Sequence, residues 1–128
     1  MNNLVYAIEA IDGLLVVLAT GVFNAHEFFA LWDALAMKSA ETGIARAVVD
    51  IRGVLPPRSE FDRFSVGAYA AQLFGHRAKI ALLSPAEHEN GLIENAAVNR
   101  GGILRVFGNS EEAHAWLAEE DGPEFPSP

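Results

Sequence analysis

The amino-acid sequence predicts an α/β fold with a mixed, mostly parallel sheet flanked by about four helices. Apolar runs of strand length alternate with segments of helical spacing along the 128 residues. Such alternation is typical of parallel strands joined by right-handed crossover helices. The exception is Asp12-Gly13, a favoured pair for a two-residue hairpin turn, which makes the first strand antiparallel to the second. We expect residues 1–118 to form a single domain and the acidic, proline-containing residues 119–128 to form a disordered tail.

The two strands of the hairpin are expected at residues 4–11 and 14–20. The first contains Glu9, so it should lie at a partly solvated edge of the sheet. The second is apolar on both faces and should lie deeper. Because Gly21 tolerates unusual backbone angles, the chain should leave the sheet there.

The first helix, expected at residues 25–42, is the best-marked element. Asn24 and Glu27 fit a capping box, in which each residue satisfies a backbone N–H of the other. Phe23 and Phe28 occupy the positions of a hydrophobic staple. One apolar stripe runs along the helix at the spacing of a buried face, formed by Phe28, Leu31, Trp32 and Leu35.

A buried strand within residues 46–53, whose C-terminal end opens onto a loop, lies at the centre of the predicted sheet. Asp50 and Arg52 are two positions apart, so they share a face if the strand continues. Ligand crevices in open α/β sheets form outside the carboxyl ends of such strands. Residues 54–57, Val-Leu-Pro-Pro, should not continue the ladder, because proline has no N–H to donate.

The second helix should begin at Ser59, with Asp62 three residues further on. Serine is among the preferred residues for capping the first turn of a helix. The expected apolar side of this helix is formed by Phe61, Phe64, Ala68 and Ala71.

Two more strands and two more helices complete the domain. Short apolar runs predict the strands at residues 79–83 and 103–107. The Ser-Pro-Ala-Glu run at residues 84–87 has the pattern of a helix start, and Gly91 should break or reset that helix. Asn109 fits the cap of the closing helix.

Composition narrows the range of partners. The formal net charge of −8 disfavours binding to phosphate backbones, so we expect no nucleic-acid partner. The absence of cysteine removes disulfides and thiolate chemistry, and it fits a cytoplasmic location. No apolar run is long enough to span a bilayer, and Met1-Asn2-Asn3 lacks the basic start of a signal peptide.

Motifs of known chemistry are also missing. No P-loop, G-x-G-x-x-G or G-x-S-x-G pattern occurs, so we expect neither a cofactor nor catalytic residues. No metal site is predicted either, because the histidines show no recognised ligand spacing; they are His26, His76, His88 and His114.

The C-terminal third resembles the SpoIIAA-like family, small bacterial proteins with a STAS/Sec14-like fold. The matching segments are N-R-G-G at residues 99–102, V-F at 106–107 and E-E-A-x-x-W-L at 111–117. The hairpin and the V-V-D-I-R-G run at residues 48–53 are similar too. The resemblance covers almost everything before the tail and implies a mixed sheet flanked by helices. It implies less about activity, because most members look like uncharacterised accessory proteins.

Ser59 is the residue on which the resemblance bears most directly. Anti-sigma-factor antagonists of this family carry a phosphorylatable Ser in a D-S-S/T-G setting, at a helix start after a central strand. This chain has Pro-Pro-Arg-Ser at residues 56–59 instead. Two interpretations follow: Ser59 caps the helix, or it accepts a phosphoryl group that the helix N-terminus and Arg58 stabilise.

Charged residues supply the remaining binding-site candidates. Asp50 and Arg52, together with Arg58 and Arg100, could form a polar cluster that grips an anion or a partner protein. Alternatively, backbone amides or an arginine hold Asp50 and simply fix the loop. Arg100 could complement a helix dipole, and Asn99 could close the same turn.

Three functions remain open on these observations. The first is a non-enzymatic regulatory module that binds a protein partner. The second is a carrier of a small apolar or anionic ligand, with lipid carriage of the Sec14 type as the example, in a pocket between helices and sheet. The third is an enzyme that uses Asp50 with Arg100. Self-association through a solvated edge strand is compatible with each of them.

Overall fold

The structure, a computed structural model, describes residues 3–57 and 59–119. Within these residues the chain forms a five-stranded sheet and four α-helices, as the sequence predicts. Arg58 and all of the predicted tail after Glu119 lie outside the described residues. The elements are β1 Val5–Ile11, β2 Leu14–Val22, α1 Ala25–Thr42, β3 Arg46–Leu55, α2 Glu60–Phe74, β4 Lys79–Leu83, α3 Leu92–Val98, β5 Ile103–Phe107 and α4 Ser110–Ala118.

The strands lie side by side in the order in which they occur in the sequence, β1-β2-β3-β4-β5. The β1–β2 pair is antiparallel and the other three pairs are parallel. Asp12 and Gly13 have φ of 52° and 80°, the positive values that a type I′ hairpin turn requires. The predicted mixed sheet is therefore confirmed.

Helices cover the two faces of the sheet unequally. Helices α1, α2 and α3 pack on one face, where alternate residues such as Leu15, Val17 and Val49 are buried. On the other face α4 packs against β3 and β4, and Ala113 and Leu117 contribute to the smaller core there.

The central strands are longer than the sequence predicts. Gly21 pairs with Val54, and Val22 pairs with Leu55, so the ladder continues almost to Pro56. The predicted ends were wrong because proline blocks only its own position, and Leu55 still accepts a hydrogen bond from the N–H of Phe23 at 3.1 Å. Gly21 has φ of 116° within β2, and a side chain there would collide with the backbone of Asn3.

Helix α1 has the predicted bounds and staple. The Asn24 side chain accepts from the N–H of Glu27 at 3.0 Å, and the Phe23 and Phe28 rings lie 5.7 Å apart. The second half of the capping box is wrong, since the Glu27 carboxylate accepts from the N–H of Leu4 at 2.8 Å. That contact ties the helix to the start of the sheet.

The segment after β4 differs most from expectation. A single 3₁₀ turn, Ala86–His88, replaces the predicted helix start, and α3 begins only after Gly91, which has φ of 85°. Ser84 does not cap a helix, because its hydroxyl donates to the Glu89 carboxylate instead. The loop between β4 and α3 thereby folds against the carboxyl end of the sheet.

Candidate functional site

Asp50 and Arg52 form a closed ion pair within β3. The Arg52 Nε and Nη2 atoms donate to Asp50 Oδ1 and Oδ2 at 3.0 and 2.9 Å, and the Arg52 N–H donates to Oδ1 at 3.0 Å. Partial burial alone raises the pKa of Asp50, but these hydrogen bonds and the positive charge of Arg52 outweigh burial and lower it. Asp50 is opposite Leu83, the last residue of β4, so the pair lies where β3 extends beyond its neighbour.

Arg100 does not join this pair. Its Nη1 donates to the carbonyl oxygen of Ala96 at 3.3 Å, and its guanidinium lies 4.5 Å from the centre of the Phe64 ring. Asn99 and Arg100 end α3, which leads into the amino end of β5, whereas Asp50 lies near the carboxyl end of the parallel strands. Arg100 therefore stabilises the end of α3 through local contacts.

Ser59 occupies the N-cap position of α2, the helix that follows the central strand. Its hydroxyl oxygen accepts from the N–H of Asp62 at 3.1 Å, and the residue is exposed. Ser59 therefore caps α2 in this structure. The same exposed oxygen lies at the N-terminal end of the helix dipole, where negative charge is stabilised.

Two large apolar side chains close in sequence to this cap are exposed. Leu55, at the end of β3, is 61% exposed, and Phe61, in the first turn of α2, is 73% exposed. Phe61 was expected on the buried side of α2, which is formed instead by residues from Val66 onward. We call Leu55, Ser59, Glu60, Phe61 and Asp62 the α2 N-terminal surface.

Arg63 joins this surface to the loop between β4 and α3. Its Nη1 donates to the carbonyl oxygen of Pro57 at 3.3 Å, and its Nη2 donates to that of His88 at 2.6 Å. One guanidinium thus holds the loops that follow β3 and β4 side by side. In addition, Asn90 Nδ2 donates to Glu60 Oε2 at 3.4 Å.

The buried carboxyl group of Glu89 lies near the Arg63 guanidinium. Glu89 Oε2 accepts from the Ser84 hydroxyl at 2.8 Å, while Oε1 is buried without a hydrogen-bond partner. Burial raises the pKa of Glu89, and the Ser84 hydrogen bond and the nearby charges of Arg63 and His88 reduce that effect. Ser84 itself is only 2% exposed.

Glu89 and Ser84 form the polar end of a narrow apolar cleft between helices and sheet. Its volume is about 10 Å³, close to the space that one water molecule occupies. The cleft provides no room for a larger ligand in this conformation. Its apolar walls are formed by Phe23, Phe28, Ile51, Val54, Val66 and Ile93.

Sequence reasoning missed the cluster of Arg63, Ser84 and Glu89. A usable signal was present, because Ser84 directly follows the carboxyl end of the buried strand β4, where crevices form. The helix-start pattern at residues 84–87 pointed to a cap instead. Glu89 and Arg63 carry no local pattern that would link them, since 26 positions separate them.

No group of three or more His, Cys, Asp or Glu side chains within residues 3–57 and 59–119 is arranged to hold a metal ion. None of the described helices combines the length and the hydropathy that a membrane-spanning helix requires.

Comparison with known proteins places the fold. No family model and no curated protein matches the sequence. An anti-sigma factor antagonist from Mycobacterium paratuberculosis matches with a TM-score of 0.66 at 16% identity, over 91% of this chain and 96% of that one. An uncharacterised DUF3478 protein from Shewanella loihica PV-4, with a SpoIIAA-like fold, matches with a TM-score of 0.53 at 20% identity, over 92% and 96%. The chain therefore has the SpoIIAA-like fold, which confirms at the level of the fold the resemblance drawn from the sequence.

Proposed function

We propose that this chain is a STAS-like regulatory module that binds a protein partner through the α2 N-terminal surface. The observation that carries the proposal is the exposure of Phe61 in the first turn of α2, together with the exposure of Leu55 at the end of the preceding strand. Large aromatic side chains are enriched where proteins bind each other. The structural similarity to an anti-sigma factor antagonist supports a partner that is itself a regulatory protein.

The charge of the surface suggests the chemistry of that partner. Glu60 and Asp62 flank Phe61, and the whole chain has a net charge of −8. A partner that presents an apolar pocket rimmed by Lys or Arg would complement both properties. Such a rim would also accelerate association at low ionic strength.

Ser59 is the modification site that this proposal includes. Ser59 is an exposed member of the α2 N-terminal surface, two positions before Phe61 in the sequence. A phosphoryl group would be stabilised by the helix N-terminus, and it would add negative charge beside Glu60 and Asp62. By the same charge complementarity, phosphorylation would strengthen binding to a partner whose pocket is rimmed by Lys or Arg. Arg58 would supply the neighbouring positive charge.

The proposal assigns no catalytic role to this chain, and two contacts support that. Asp50 is held by three donors from Arg52 and has a lowered pKa, so it would be a weak general base. Ser84, although bonded to a carboxylate, is almost completely buried, and a substrate could not reach its hydroxyl. The cytoplasm is the compartment that we propose, in line with the absence of cysteine.

Carriage of a small apolar or anionic ligand is the alternative. The apolar cleft beside Glu89 supports this alternative, and its volume of about 10 Å³ weighs against it. A lipid or metabolite would require Arg63 to release the loops at Pro57 and His88. Native mass spectrometry of the purified chain would test this directly, since a retained ligand would add mass that denaturation removes.

The partner proposal is tested by position-specific cross-linking in cells that produce the protein. A photoreactive amino acid at Phe61 should capture a defined protein, and the same probe at Met37, an exposed apolar position on α1, should not. The double variant Leu55→Ser with Phe61→Ser should lose the captured protein in affinity purification, while Met37→Ser should retain it. Equal capture from both positions, or none from Phe61, would contradict the proposal.

A further inference from the structure

The two edges of the sheet differ in their protection against pairing with another strand. On β5, the N–H of Val106 donates to the Glu94 carboxylate at 2.9 Å, and Arg105 places a positive charge on the strand. Side-chain caps and charges of this kind block an edge. The β5 edge is therefore closed by the chain itself.

The β1 edge has few features that would block pairing with another strand. Its seven residues, VYAIEAI, include no proline and no basic residue, and their register with β2 is continuous. Val5 and Ile11, near its two ends, are 62% and 44% exposed. A long, regular, apolar edge is the kind that accepts another strand.

The hairpin turn determines which backbone groups of β1 face outward. In a two-residue hairpin, Ile11 and Leu14 form the hydrogen-bonded pair next to the turn. Hydrogen-bonded and non-hydrogen-bonded pairs alternate along an antiparallel ladder. The N–H and C=O groups of Tyr6, Ile8 and Ala10 consequently point away from β2.

We infer that β1 pairs antiparallel with β1 of a second copy, across a two-fold axis at Ile8. In this register Tyr6 of one copy is opposite Ala10 of the other, and the outward N–H and C=O groups of both are satisfied. Val5 of one copy is opposite Ile11 of the other, so the exposed apolar side chains cover each other. The two sheets would join into one continuous sheet.

Charge favours this register over its neighbours. Centring on Ile8 places Glu9 opposite Ala7, whereas centring on Glu9 would place two carboxylates directly opposite each other. The two Glu9 side chains remain diagonal neighbours, roughly 7–8 Å apart. Added salt should therefore tighten the dimer, and Glu9→Gln should tighten it about twofold or more.

The size of the contact determines the expected affinity. Seven residues span roughly 24 Å at about 3.4 Å per residue. A single strand edge of that length covers less than the roughly 800 Å² per partner of a standard interface. We expect a dissociation constant on the order of 10–100 µM rather than a permanent dimer.

Analytical ultracentrifugation over concentrations that bracket that range provides the first test. The wild-type chain should shift from monomer to dimer. Ala10→Pro removes one outward N–H without touching the β1–β2 ladder, and Ile11→Lys places a charge against Val5 of the second copy. Both should weaken dimerisation at least tenfold, while Met37→Lys, the matched change on α1, should leave it unchanged.

Cysteine cross-linking tests the register, because the chain has no cysteine of its own. Ile8→Cys should form a disulfide-linked dimer, since an opposed pair in an antiparallel ladder has its Cα atoms about 5.5 Å apart. Met37→Cys is the control and should not cross-link. Circular dichroism confirms that each variant is folded; if Ala10→Pro is not, Ile11→Lys and Ile8→Cys still decide the question.

Three results would overturn the inference: a wild-type chain that stays monomeric throughout, a dimer that survives Ile11→Lys, or cross-linking that is no better at Ile8 than at Met37. The β1 edge shares no residue with the α2 N-terminal surface. The outcome is thus independent of whether the proposed partner exists.

Discussion

Arg63 Nη2 donates a hydrogen bond of 2.6 Å to the carbonyl oxygen of His88, 25 residues further along the chain. The same guanidinium donates to the carbonyl oxygen of Pro57. A planar group with several donors can hold two loops at once, which a single-point ammonium cannot do equally well. One side chain therefore links the loops that follow β3 and β4.

Replacement of Arg63 should destabilise the fold measurably. Arg63→Met keeps much of the aliphatic stem and removes both charge-assisted hydrogen bonds, so we expect a loss of about 1–3 kcal/mol in the free energy of unfolding. Urea denaturation followed by circular dichroism provides the measurement. Lys38→Met, which removes a charge from α1, is the control and should change stability by less than about 0.5 kcal/mol. Equal effects of the two changes would show that Arg63 contributes nothing specific.

Glu89 should make the stability of the fold depend on pH in the sense opposite to that of most carboxyl groups. Burial raises its pKa above the ordinary 4.5, against the opposing effects of Ser84, Arg63 and His88. The folded state then binds the proton more tightly than the unfolded chain. This group's contribution is therefore fully present below pH 4.5 and is lost as the pH rises through the folded-state pKa.

Glu89→Gln isolates this effect, because it removes the buried charge and keeps an acceptor for Ser84. We expect a higher urea midpoint than wild type at neutral pH and a difference that shrinks as the pH falls toward 4.5. A variant that is less stable than wild type at neutral pH would show that the ionised carboxylate is needed.

The contribution of Asp50 to stability should depend on pH in the sense opposite to that of Glu89. Its pKa is lowered from 3.8, because the hydrogen bonds and charge of Arg52 outweigh the effect of burial. Its contribution is present above pH 3.8 and is lost as the pH falls through the folded-state pKa. Asp50→Asn should reduce stability at neutral pH by at most about 1 kcal/mol, since the pair is partly solvated. A double-mutant cycle with Arg52→Gln measures the coupling, and a coupling of zero would contradict this interpretation.

The contact between α2 and α3 depends on the absence of a side chain at Gly67. A Cβ there would collide with the carbonyl oxygen of Ile93 and press on Ala96. Gly67→Ala should lower stability by about 1–3 kcal/mol from overpacking, partly offset by roughly 1 kcal/mol of helix propensity. Gly108→Ala is the matched control, because nothing lies within 4 Å of the added methyl group. Thermal unfolding of the two variants gives the comparison, and similar midpoints would mean that the helices separate at no cost.

Several elements were predictable because their signals are local. The bounds of α1 follow from Asn24 and Gly43, which act within one turn of the helix ends. The hairpin follows from Asp12-Gly13, whose backbone angles are set by two residues. Strands β4 and β5 were found at their predicted positions, because an apolar run of five residues between turn signals has the length of a strand and is short for a helix.

The candidate site was less accessible to such reasoning. The Asp50–Arg52 pair and the Ser59 cap involve neighbours in sequence, and both contacts are present. The exposure of Phe61 was not predicted, since the helical position of an aromatic residue does not say where the other elements stop. Arg100 lies at the end of α3, one of the two positions that the sequence offered, and its Nη1 contact with Ala96 is local; its contact with the Phe64 ring came only from the fold.

The sequence by itself determined the class of fold, the order of strands and helices along the chain, and the N-caps Asn24, Ser59 and Asn109, because periodicity and capping act over a few residues. Only the tertiary structure decided how far β2 and β3 extend and that Ser84 bonds to Glu89 instead of capping a helix. It also decided that Arg63 links the loops after β3 and β4. Each of these depends on a hydrogen-bond partner or a packing neighbour that is not part of the same local pattern. A donor or acceptor takes the partner that the completed fold brings nearest, and that choice is made only when distant segments meet.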